Sequence, residues 1–273
     1  MALGFLKRVF GGGQAESATA TSPASAAAPP AAEPDARAAV DAARIAARAI
    51  RRDHQPGEWA EARQLLANAL VLFAAEQPDD AAPSTYEEAE SVLAEAIEVV
   101  GPDAHPAFLA SMINLQGYAA YRRGEHLQGA AKRRAFTDAA ERFTRALAKI
   151  TPDTHRDLWV ELGFYRGAVS QSLAMLAEGA EAAARLDDAA VSFREVAARG
   201  MADGSVHPIA AYNLHVVLQN RADLTRGRAA FPYLTESRQA LVQAMESPTF
   251  GAHRADHEAR IAALDAAIDA AQR

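Results

Sequence analysis

Residues 101–155 read GPDAHPAFLASMINLQGYAAYRRGEHLQGAAKRRAFTDAAERFTRALAKITPDTH. They hold one complete unit of the fold between two similar punctuation marks. Gly101-Pro102-Asp103-Ala104-His105 opens the unit and Thr151-Pro152-Asp153-Thr154-His155 closes it. Both junctions carry a proline that stops a helix, and Pro106 suits a first helical turn, where its missing N–H costs nothing. Between the junctions lie two stretches with apolar residues at helical spacing. Neither alternates with period two for long enough to be a strand.

The unit recurs along the chain. His54, His105, His155 and His207 are 51, 50 and 52 residues apart, each at a break between helical patterns. The segment around His253 reads as a fifth, degenerate copy. Leu93, Phe143, Phe193 and Leu241 fall in one column. Ala96, Ala146, Val196 and Ala244 follow three residues later, and Ala89, Ala139, Ala189 and Ser237 precede by four. Offsets of three and four share a helix face, so each copy presents a large side chain between two small ones. In the preceding helix Leu65, Leu115, Tyr165 and Leu214 align, as do Gly117 and Gly167. A unit of this kind cannot bury its apolar faces alone and must stack on its neighbours. Ten helices are expected, at about 34–51, 57–76, 84–100, 106–123, 130–150, 156–176, 180–199, 207–222, 232–247 and 253–271. Glu87, Glu88 and Glu90 fall early in the third, where negative charge favours the helix dipole.

Composition agrees with an all-α chain. Half of the 273 residues are apolar, and many of these are alanine. Alanine favours helix but buries little area, so the core must come from close helix contacts. The net charge of −7 argues against a broad nucleic-acid footprint, which needs Lys and Arg to displace counterions. Lys132-Arg133-Arg134 is too short, and too closely followed by acids, to change that. With no cysteine, disulfides and thiolate metal sites are excluded.

Residues 1–10, MALGFLKRVF, carry two basic residues inside the apolar stretch and lack the ~7–15-residue apolar core of a secretory signal. Leu3, Leu6 and Phe10 share a helical face with Phe5 beside it, while Lys7 and Arg8 lie towards the other side. This segment is a candidate dock for a membrane surface or a protein partner, the alternative being a frayed terminus. Residues 11–35 contain no aromatic and no large aliphatic residue, the composition of a disordered linker. The expected organisation is an amphipathic segment 1–10, a linker 11–35 and a helical repeat domain 36–273.

The repeated residues resemble the tetratricopeptide repeat, in its longer kinesin-light-chain-like variety. The two junctions quoted above look like that variety's Gly-Pro-Asp-His-Pro linker with one residue added. Ser111-Met112-Ile113-Asn114-Leu115, followed by Tyr121 and Gly124, is similar to its first helix. Ala139, Phe143, Ala146 and Pro152 match its second. The resemblance covers roughly residues 50–250. It implies a right-handed superhelical stack of antiparallel helix pairs, an α-solenoid whose concave face accepts a peptide or a partner helix. The departure is length: these units run near fifty residues against the family's ~34, with the surplus around 124–135 and 173–185, as helix or as loop. Asn114 and Asn213 fit one position of the family's carboxylate clamp. The Lys and Arg companions are missing, so chaperone C-termini are not the expected ligand.

Candidate partner-binding residues lie on the first helix of each pair: Asn114, Tyr118, Tyr121, Tyr165, Arg166, Tyr212 and Asn213. Tyrosine and arginine dominate binding hot spots, and asparagine can hold an extended backbone. The alternative is that the tyrosines fill the stack, with their hydroxyls at its rim. The junction histidines are not read as a metal site: equivalent residues should lie at least a helix diameter apart, ~10 Å, too far to share an ion. His253 and His257 have chelating spacing but no evident third ligand. No nucleophile elbow, P-loop or GxGxxG occurs. The expected function is therefore a non-catalytic adaptor for a protein or peptide partner, cytoplasmic, without a cofactor, and without nucleic-acid binding. Its candidate recruitment residues are Leu3, Phe5, Leu6, Lys7, Arg8 and Phe10. The alternative is a regulatory or sensory repeat domain that binds a peptide or small ligand.

Overall fold

A computed structural model describes residues 35–272. Ten α-helices follow one another: α1 (Ala36–Ala49), α2 (Pro56–Glu76), α3 (Ala82–Val100), α4 (Pro106–His126), α5 (Gly129–Leu147), α6 (Arg156–Ala174), α7 (Gly179–Arg199), α8 (Pro208–Thr225), α9 (Phe231–Met245) and α10 (Arg254–Gln272). Short 3₁₀ turns at Gly227–Ala230 and Pro248–His253 flank α9. No strand occurs among the described residues. The expected helices are all present, most with ends shifted by up to three residues. The surplus length is helix: α4 and α5 are joined by Leu127 and Gln128 alone, and α6 and α7 by residues 175–178. Gly129 and Gly179, fifty residues apart, close these turns with φ of +54° and +56°, a conformation that L side chains resist. Helix-forming sequence on both sides leaves no reason for a longer loop.

Every helix packs on the next, and the first helices also touch one another, α2 against α4 and α4 against α6. The result is a stack of antiparallel pairs. The expected columns lie at its centre: Leu93, Phe143, Phe193 and Leu241 are fully buried, as are the small residues on either side of each. The large residue inserts where the facing helix is small. A Cβ on Gly117 would stand 2.9 Å from Phe143 Cε1, and one on Gly167 would stand 2.8 Å from Phe193 Cε1. Phe143 is then stacked at 5.6 Å by Tyr165 of the next pair, so one ring ties two units.

A second column of the same kind sits near the tight turns. Ala74, Gly124, Ala174 and Ala222 each precede by twelve residues a large partner, Tyr86, Phe136, Leu186 and Leu234, and all eight are buried. Its last step is 48 residues, as is the step from Phe193 to Leu241. That corrects the alignment of Leu214 with Tyr165, because the shorter step matches Tyr165 to Asn213 and Gly167 to His215. Leu65 also departs from its column, being 68 % exposed where Tyr165 is buried.

Both ends are thinly covered. In α10 only His257, Leu264 and Ala271 are buried, a stripe one residue wide. In α1 only Val40 and Ala47 are buried. By contrast α4 from Ala107 to Gly124, and α6 from Leu158 to Ala174, have no exposed residue.

Candidate functional site

The first-helix candidates are mostly engaged within the stack. Asn114 is buried and donates through Nδ2 to Glu161 Oε1 at 2.8 Å. Fifty residues earlier Gln64 donates to Ser111 Oγ at 2.7 Å, so this rung between first helices repeats. Burial pushes the Glu161 carboxyl up, and the Asn114 amide only partly offsets it. Tyr118 and Tyr165 are buried with ring centroids 5.1 Å apart, and Arg122 donates to the Tyr118 hydroxyl at 3.1 Å. Burial raises both phenols, and it takes Tyr121 to about 12. Tyr121 is half-buried against Phe136. Asn213 is half-buried and donates to Ile209 O of its own helix at 2.8 Å. Tyr212 stacks on Phe250 at 5.3 Å and accepts a hydrogen bond from Arg260 at 3.0 Å. Thus these polar groups are spent within the stack: Asn114 and Tyr212 bond to other helices, while Tyr118 and Asn213 bond within their own. The six recruitment candidates Leu3, Phe5, Leu6, Lys7, Arg8 and Phe10 lie outside the described residues.

Arg166 is placed differently. It lies on the floor of an open trough of about 740 Å³ with α5 and α7 as walls. The α6 floor consists of Arg166, Ser170 and Leu173. The α5 wall runs from Thr137 to Ala148 and the α7 wall from Arg185 to Glu195. Eleven helical steps along α5 give a length of about 16 Å. Arg166 donates to Ser192 Oγ at 2.8 Å and to Glu195 Oε2 at 2.9 Å, which fixes its guanidinium against the α7 wall. Arg145 and Val191 are exposed on opposite walls. Arginines 145, 166 and 185 and acids 141, 188 and 195 line the trough together with Thr144 and Ser170. It is therefore electrically mixed, with apolar surface from Ala140 and Val191 on opposite walls and Leu173 buried beneath them. Such a surface suits an amphipathic segment better than a bare anion or cation.

Glu90, expected to act on a helix dipole, lies eight residues into α3 and is buried. It receives Arg123 at 2.7 Å and Arg142 at 2.5 Å, from α4 and α5. The dipole reading fails because its carboxylate is spent on two cations. The separation expected of the junction histidines is also corrected: the rings of His105 and His155 are 6.1 Å apart. Side chains on successive junctions lean together. No group of three or more metal-ligating side chains occurs among the described residues.

His215 and Ser237 form a buried pair, Nδ1 to Oγ at 2.8 Å, and Ser237 Oγ donates to His215 O at 3.1 Å. With its hydrogen committed to the carbonyl, Oγ accepts from Nδ1–H, which sets the tautomer. Burial, then Arg260, lowers His215 to about 4. At 0 % exposure Ser237 has no route to a substrate, so the pair fastens α8 to α9.

No described helix is long and apolar enough to cross a membrane. No family model, no curated protein and no solved structure matches the chain.

Proposed function

We propose that this chain is a tetratricopeptide-like adaptor that binds an amphipathic segment of a protein partner in the α5–α6–α7 trough. The observation that carries the reading is the contrast between two faces. Along α4 and α6 the inner face has no exposed residue, whereas the trough is open, about 16 Å long and lined by three arginines, three acids and apolar surface on both walls. A groove that length admits about three turns of helix, with aliphatic anchors over Ala140 and Val191 and charges of both signs at its edges. The periodic stack supplies rigidity, since each wall is fixed by its buried face.

The test is affinity capture from the cells that make the protein, comparing the unaltered chain with Arg145→Glu/Val191→Asp. Both altered positions are exposed, so the far-ultraviolet circular dichroism spectrum stays that of the parent. A specific protein retained by the parent and lost by the variant is the expected result. An identical set of captured proteins sinks the reading.

A further inference from the structure

Among the described residues the row of first helices is uncovered at its beginning. In α6 the face turned to α4 is marked by Glu161, which takes Asn114; by Tyr165, its ring 5.1 Å from that of Tyr118; and by Ser172, beside Tyr121. One hundred residues earlier the same positions of α2 are Glu61, Leu65 and Leu72. Among the described residues no first helix precedes α2, and this face is open: Leu65 is 68 % exposed and Leu72 37 %.

The same gap is visible from α1. Aligning His54 with His155 sets Ala38, Ala42, Ile45 and Ala49 of α1 on Ala139, Phe143, Ala146 and Ile150. The latter four form the buried face of the unit that α5 shares with α4. All four α1 counterparts are exposed, Ile45 by 70 %. Helix α1 is thus a second helix whose own first helix is not among the described residues. Two apolar stripes, one on α1 and one on α2, border a single helix position.

The repeat geometry states what fits there. From Glu61 to Leu72 is about 16 Å, so the occupant is a helix of ten or eleven residues. It needs large apolar side chains towards α1 and α2, and positive charge near Glu58, Glu61 and Glu76, all exposed on α2. Residues 1–10 meet each requirement. They carry Leu3, Leu6 and Phe10 at helical spacing, with Phe5 and Val9 alongside, and Lys7 and Arg8. The 25 residues 11–35 end at α1 itself. At a limit of about 3.3 Å per residue, 25 residues can reach on the order of 80 Å, so the tether does not prevent a return to the face beside α1.

We propose that residues 1–10 of this chain dock on α1 and α2 as the first helix of the row. This goes beyond the trough and does not depend on it. The tether makes the encounter intramolecular, at an effective concentration in the millimolar range, so a weak contact is enough to hold the segment. A tip held in this way is withdrawn from membranes and partners until something displaces it.

The chain has no cysteine, so an introduced pair is the only pair of thiols. Leu6→Cys with Leu65→Cys is compared with Leu6→Cys with Met175→Cys in dilute full-length protein. Met175 is 81 % exposed at the end of α6 and serves as the untargeted control. The first pair is expected to form its intramolecular disulfide about ten-fold faster, and Phe10→Asp to abolish that advantage. Removing residues 1–12 is expected to speed amide exchange in α1 and in the first half of α2. Equal rates for the two pairs overturn the proposal. So does a disulfide-linked dimer, which would make a second copy the occupant, and so does unchanged exchange in the truncated chain.

Discussion

At the scale of single residues, the stack is held by matched pairs of large and small side chains. Gly117 faces Phe143 with no room for a methyl group. Gly117→Ala is therefore expected to cost about 1–3 kcal/mol by overpacking. The first unit shows the remedy, since it has Ala67 and Leu93, both fully buried, at the equivalent positions. Adding Phe143→Leu to Gly117→Ala should recover much of the loss, and urea melts of the two single variants and the double variant measure the coupling. His215 gives a second expectation. The folded protein resists its protonation until about pH 4, whereas the unfolded chain takes the proton near 6.5. The unfolded state thus binds more protons between those values, and stability falls as pH drops from 6.5 towards 4. Thermal melts across that range should show a shallower decline for His215→Leu. An equally steep decline would assign the effect to other groups.

At the scale of helices, Glu90 joins three elements by accepting Arg123 from α4 and Arg142 from α5 while standing on α3. Glu90→Leu leaves two partly buried guanidiniums without their carboxylate, at an expected cost of about 3 kcal/mol by chemical denaturation. Glu98→Leu, at an exposed site on the same helix, should be nearly silent. The contrast shows what was legible in the sequence. Helix ends could be read because Pro102, Pro152 and the glycines act locally. The column Leu93, Phe143, Phe193, Leu241 could be read because it repeats. The burial of Glu90 could not: its partners lie 33 and 52 residues away, and the arrangement has no counterpart in the other units. The trough was hidden for a similar reason. It gathers residues from Thr137 to Glu195 across three helices, and of these only Arg166 stood out. Periodicity marks a face as apolar but does not say whether another helix will cover it. That is why the inner tyrosines 118 and 165 looked as available as Tyr212.

For the whole molecule, the chief consequence is that coupling is local. Each helix contacts its neighbours in sequence, with a few contacts one helix further on, so stability is approximately a sum over adjacent interfaces. The C-terminal end has a small core of its own, built from Ala222, Ala230, Leu234, Leu241, Leu264 and Ala271, beside the larger one. Removing residues 248–273 takes away Leu264 and Ala271, together with the Arg260 donor to Tyr212. It also relieves His215 of a positive neighbour. The remaining chain should stay helical. Hydrogen exchange should quicken in α8 and α9, which lose their cover, and remain slow in α4 and α6, whose partners are untouched. The reason is geometric: α10 meets α8, α9 and the flanking 3₁₀ turns, and no described contact carries its loss directly to the first units. Exchange that quickens equally in every helix would mean one cooperative globule, and the one-dimensional account of this fold would have to be abandoned.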